Sequence, residues 1–148
     1  MRPAQQQPID VIAEPKKLTL PHGRYLVFGS GILAALGIRG SADIDLLVTA
    51  DVFEDLKARG WKHEVISIEG RPRERVSHAD VEAYKEYWCD GKDYDVVEMI
   101  RNAVVIDGVP FMGFESLIDL KRSMGREKDL TDIELIQDYL RSHRNQET

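Results

Sequence analysis

Residues 25–48 read YLVFGSGILAALGIRGSADIDLLV, and this stretch decides the fold of the chain. Four apolar residues lead to Gly29-Ser30-Gly31, helix formers follow over residues 32–36, and Gly37 is a plausible stop. A second apolar run then opens with Asp43-Ile44-Asp45. The pattern predicts a strand, a tight turn, a short helix and a strand over residues 43–48. On a strand, alternate side chains share a face, so Asp43 and Asp45 project together while Ile44 and Leu46 turn to the core. Their Cα atoms fall ~6.6–6.8 Å apart at ~3.3–3.4 Å rise per residue. Two carboxylates at that spacing suit a pair of divalent cations, which sit ~3.5–4 Å apart in two-metal sites. A Gly-Ser turn one strand away offers N–H groups and a hydroxyl to a phosphate.

Other readings of the same residues are weaker. An EF-hand places a third acid and a glycine where Leu46, Leu47 and Val48 stand. The glycine turn lacks the Gly-Lys-Ser/Thr ending of a Walker A loop and is not a GxGxxG dinucleotide turn. Alone, GSG serves tight geometry in many chains. Its weight here comes from lying one short helix away from two acids at the edge of an apolar run, where unpaired carboxylates repel each other and are costly.

Working outward, Thr49 is a plausible N-cap for a helix through Arg59, with Gly60 just past its end. HEVISI after Trp61 reads as a strand and RPRER, residues 71–75, as a polar loop. Residues 81–88 read as one arm of a hairpin turning at Asp90-Gly91, with its return strand over residues 94–99. A second hairpin turns at Asp107-Gly108, and two helices follow, over residues 114–124 and 130–142. The order predicts an α/β domain with a mixed twisted sheet flanked by helices, two of them C-terminal. Residues 1–17, with three glutamines in a row and three prolines, read as a loose arm, ordered at most around Ile9 to Ile12. Residues 18–148 read as one domain.

The chain has 148 residues, a formal net charge of −6 and one cysteine, Cys89, which excludes an internal disulfide. The charge argues against indiscriminate nucleic-acid binding, although RPRER and residues 121–128 are local basic clusters able to meet a polyanion. No apolar run approaches the ~20 residues of a membrane span, and the N-terminus lacks a secretory apolar region, so a cytoplasmic protein is expected.

A third acid is expected on a nearby strand. In KDYDVVEMI, Asp95 precedes the apolar part of the expected return strand as Asp43 does in its own, and Glu98 is the fallback. Lys121 and Lys128 are candidate phosphate contacts, as is Arg126, against the plainer reading of cations near a helix C-terminus. Trp61, Tyr84 and Trp88 suit core packing better than stacking on a base.

Phe28-Gly29-Ser30, the spacer from Gly31 to Ala42, and Asp43-Ile44-Asp45-Leu46 together resemble the DNA polymerase β-like nucleotidyltransferase superfamily. The segment SLIDLKRSMGREKDLTDIELIQDYL is similar to the C-terminal part of small stand-alone members related to abortive-infection and toxin–antitoxin nucleotidyltransferases. The resemblance implies the nucleotidyltransferase fold and metal-dependent transfer of a nucleoside monophosphate from a nucleoside triphosphate to a hydroxyl of RNA, protein or a small molecule. It implies that Asp43, Asp45 and Asp95 bind Mg²⁺ or Mn²⁺, and that Gly29, Ser30, Lys121 and Lys128 bind the nucleotide. It further implies a toxin or effector role with a cognate antitoxin protein, and tRNA or protein as acceptor. The rival expectation is a non-catalytic relative that kept the fold as a binding or regulatory module.

Overall fold

The computed structural model describes residues 8–146. Among them are α1 (Ala13–Lys17), β1 (Tyr25–Phe28), α2 (Gly31–Ala35), β2 (Ile44–Val48), α3 (Ala50–Ala58), β3 (Lys62–Ile68), β4 (Arg71–His78) and β5 (Val81–Tyr84). There follow β6 (Tyr87–Cys89), β7 (Lys92–Tyr94), α4 (Val96–Arg101), β8 (Val104–Ile106), β9 (Val109–Phe111), α5 (Phe114–Met124) and α6 (Glu127–Gln146). Seven strands form one mixed sheet in the order β3-β4-β5-β2-β1-β9-β8, and β6 and β7 form a separate hairpin. The chain is therefore mixed α/β, with two C-terminal helices, as expected. Among the described residues no helix is long and apolar enough to cross a membrane.

The decisive stretch folds as read. β1 and β2 run antiparallel with Phe28 opposite Asp45, and each gains a parallel outer neighbour, β9 beside β1 and β5 beside β2. Leu26, Leu46, Leu47 and Val48 are wholly buried, as expected for the centre of a sheet covered on both faces. At the turn Gly29 adopts φ +75°, in the region that favours glycine. Gly31 starts α2 so close to β1 that a Cβ there would lie 2.5 Å from Val27 Cγ1.

Four expectations are corrected. RPRER is not a loop: it forms the first half of β4, joined to β3 by Glu69-Gly70, both at positive φ. That two-residue turn matches the right-handed twist of paired strands, so the ladder continues through a charged segment with little apolar alternation. The Asp90-Gly91 turn is present, but the hairpin is three residues deep and β7 ends at Tyr94. The expected strand over residues 94–99 is instead the helix α4, with Asp95 as its N-cap accepting from Glu98 N. The last helix begins at Glu127, three residues before the expected start.

Within the expected N-terminal arm, residues 1–7 lie outside the described residues. From residue 8 onward the segment is packed: Ile9 N donates to Ser41 O at 2.8 Å, Val11 is buried in the core, and Asp10 accepts from Ile12 N and Ala13 N to start α1.

Candidate active site

The ends of β1 and β2, the β3–β4 hairpin, β6, and the junction of α5 with α6 enclose a cleft of about 530 Å³. Gly29, Ser30, Asp43 and Asp45 line it together, as the sequence suggested. Register explains the convergence. β1 and β2 are neighbours, so the turn at the end of β1 faces the residues that enter β2. Asp43 sits exposed just before β2, and Asp45 is half-buried within it.

The residue opposite Asp45 on the parallel strand β5 is Glu82. Directly paired residues point to the same face, so Asp43, Asp45 and Glu82 form the acidic group at this edge. Burial, reinforced by the charges of Asp43 and Glu82, raises the Asp45 carboxyl from 3.8 to about 7. Among the described residues neither Asp43 nor Asp45 has a cation within salt-bridge distance. Glu82 meets Arg75 at 3.6 Å and accepts from Tyr84 Oη at 2.8 Å. Burial and the Glu82 carboxylate push the Tyr84 phenol up to about 12.

Asp95 does not join this group. It caps α4 beside Thr49 and Val97 along a separate, shallow groove, and Glu98 on the same helix pairs with Arg101. Sequence reasoning missed Glu82, although the signal was present: VEAY places one acid between apolar residues in a short strand pattern, as IDLL does after Asp43.

Lys121 and Lys128 both line the cleft but differ in state. Lys128 is exposed at the rim, with no ion pair among the described residues. Lys121 is buried and bound to two buried acids, Asp132 Oδ2 at 2.8 Å and Asp129 Oδ1 at 3.5 Å. Each acid also holds an arginine. Asp132 accepts from Arg39 Nε and Nη2 at 2.8 and 2.7 Å, and Asp129 accepts from Arg126 Nε and Nη2 at 2.6 and 3.1 Å. Burial pushes Asp132 upward, but the hydrogen bonds from Arg39 and Lys121 prevail and hold it below the ordinary carboxylate value. The Arg126 side chain does the same for Asp129, against its burial.

The remaining cation of the cleft is Arg73 on β4, 7% exposed. Its guanidinium carbon lies 3.9 Å from the Tyr84 ring centroid and 5.9 Å from that of Trp88. Trp88 carries Arg71 over its ring at 3.9 Å and donates Nε1–H to Ile68 O. Trp88 is thus held by arginines and backbone, in agreement with a packing role. Above the cleft, Phe28, Tyr87 and Tyr94 form a run of ring contacts at 4.8 and 4.9 Å that seats the β6–β7 hairpin on β1.

A second set of metal-type ligands, Glu69, Cys89 and Asp90, has its donor atoms within 4.8 Å of one another. Local structure accounts for its acids: Glu69 accepts from Asp90 N and Gly91 N, tying two turns together, and Asp90 accepts from Ser123 Oγ. No protein-family model, curated protein or solved structure matches the chain.

Proposed function

We propose that the chain is a metal-dependent nucleotidyltransferase of the polymerase β-like type, with Asp43, Asp45 and Glu82 as its acidic triad. The observation that carries this reading is the crowding of three carboxylates where β2 meets β5, with no cation within salt-bridge distance of Asp43 or Asp45 among the described residues. Oxygen donors of this kind suit Mg²⁺ or Mn²⁺, and a carboxyl raised to about 7 by burial, with neighbouring acids adding to it, is the expected state of such a site without its metal. Asp43 and Asp45 would hold the ions, and Glu82 would complete the set. When bound, the metals supply charge neutralisation at the reacting phosphate and orient the attacking and leaving oxygens.

The chain's own residues do the rest. The Gly29-Ser30 turn receives the distal phosphates of a nucleoside triphosphate, leaving the α-phosphate beside Asp45. Lys128 draws the polyanion from the rim. Lys121 acts through Asp129 and Asp132, fixing the wall of the cleft and not reaching freely into it. Glu82 orients the acceptor hydroxyl, whose oxygen attacks the α-phosphorus in line as pyrophosphate leaves. Most of the rate comes from positioning and electrostatics, as phosphoryl chemistry demands. A toxin or effector role with a partner antitoxin rests on the resemblance of the C-terminal segment alone.

The test is label transfer. Each nucleoside triphosphate, radiolabelled at the α-phosphate, is incubated with Mg²⁺ or Mn²⁺, total RNA and protein extract. Label should move to a macromolecule with the unaltered chain, and fail to move with Asp45→Asn or Glu82→Gln. Absence of both transfer and Mg²⁺-dependent nucleotide binding would leave a non-catalytic binding module.

A further inference from the structure

Arg73 occupies a costly position: the charge of Asp45 and the ring of Tyr84 favour its guanidinium there, but its hydrogen-bond donors are not all met. Among the described residues its one hydrogen bond runs from Nε to Glu86 O at 3.0 Å. Nη2 is shut away from solvent without a partner. A buried, unpaired donor on a charged group is destabilising, and stacking on Tyr84 does not satisfy an N–H. The other arginines and the buried lysine of this cleft, Arg39, Arg126 and Lys121, are held by Asp132 and Asp129. Arg73 is the buried cation left over in a cleft that also carries Asp43 and Asp45, the latter paired with Glu82.

Its place in the sheet indicates what it binds. The strands run β4-β5-β2-β1, so across the sheet Asp45 and Glu82 lie between the Ser30 turn and the strand that carries Arg73, four residues along from Ser77 opposite Glu82. At ~4.7–4.9 Å per strand, β4 is roughly 14 Å from β1, with Asp45 one spacing from the turn. A triphosphate that rests on the turn and brings its α-phosphate to Asp45 extends away from Arg73. In-line displacement places the attacking oxygen opposite the leaving pyrophosphate, which is the Arg73 side.

We infer that Arg73 binds a phosphate of the acceptor, so that the acceptor is a phosphate-bearing chain of the ribonucleotide type whose hydroxyl lies next to that phosphate. This rests on the transferase reading above. The planar fork of an arginine suits two phosphate oxygens, and sliding across the Tyr84 face brings Nη1 and Nη2 to them without losing the stack. RPRER thus contributes to nucleic-acid contact from inside the cleft, through one residue, and not as an exposed basic surface.

The experiment measures equilibrium binding of two probes in Mg²⁺: a short single-stranded oligoribonucleotide with a free 3′ hydroxyl, and inorganic tripolyphosphate. Arg73→Met should weaken the oligoribonucleotide by roughly 10- to 100-fold, the loss of one charge-assisted contact, and leave tripolyphosphate binding unchanged. Arg73→Lys, which keeps the charge and a donor, should recover part of the loss, and Arg71→Met on the neighbouring exposed position should cause none. Circular dichroism and thermal melting of each variant establish that the fold is intact. Oligoribonucleotide binding that is absent, or unaffected by Arg73→Met while Arg73→Lys is folded, would overturn the inference. A loss confined to tripolyphosphate would do so as well, by moving Arg73 to the triphosphate. Failure of the underlying reading has its own signature: tripolyphosphate binding that needs no Mg²⁺ and survives Asp45→Asn, whatever Arg73 does.

Discussion

Asp45 holds a proton in the folded chain that an unfolded chain has released, because its carboxyl is raised from 3.8 to about 7. Between those two values the native state binds more protons, so the stability of the metal-free protein falls as pH climbs and levels off above about 7. Urea midpoints in chelator should therefore be lower at about pH 8 than at about pH 5, and Asp45→Asn should remove most of the difference. A variant without that difference whose wild type shows it would confirm Asp45 as its source. Asp95 and Glu82 separate in the same way. Asp95→Ala should cost about 1 kcal/mol, the worth of an N-cap, and leave Mg²⁺-dependent nucleotide binding intact. Glu82→Gln should abolish that binding with little effect on folding. Denaturation curves and nucleotide titrations of the two variants check both statements.

The elements legible in the sequence are those with plain punctuation. β1, α2, β2 and α3 were readable because apolar runs alternate with Gly29, Gly37 and Gly60, and because Thr49 stands before a helix. β4 was not, since its arginines show no polar–apolar alternation. What makes it a strand is its pairing with β3 and β5, a non-local fact. Arg73 and Arg75 lie on the face of Ile66, Glu82 and Tyr84 by register, which no count of basic residues reveals. The acid at residue 95 was misplaced for a related reason: a β-rich run of valines and methionine forms a helix once Asp95 caps it. At the α5–α6 junction the sequence showed a Lys, an Arg and two Asp, but not their mutual saturation. Asp132→Ala should cost about 3–5 kcal/mol, because it leaves Lys121 buried with one longer contact and frees Arg39. A shift of the denaturant midpoint that small-surface substitutions produce would contradict the network's role.

Across the fold, the cleft draws its walls from segments far apart in the chain, while its acidic floor is Asp43 and Asp45, with Glu82 paired beside Asp45 on the adjacent strand β5. Charge at the floor opposes folding and charge pairing at the wall favours it, so the metal proposed for the floor should stabilise the molecule as a whole. Saturating Mg²⁺ at about pH 8 should raise stability by ~2.7 kcal/mol when present at about one hundred times its dissociation constant. Asp45→Asn should show no such rise in a thermal melt. A wild-type melt indifferent to Mg²⁺ and Mn²⁺ would remove the metal from the proposed site.

The bond between Arg39 and Asp132 spans 93 positions. During synthesis, then, the glycine turn and all three acids emerge well before the α5–α6 residues that complete the wall of the cleft. A nascent chain stopped short of Asp129 leaves Arg39 unclaimed, and arrival of α6 completes this side of the cleft. Completion of the cleft thus waits on the docking of α6, which brings Asp132 to Arg39.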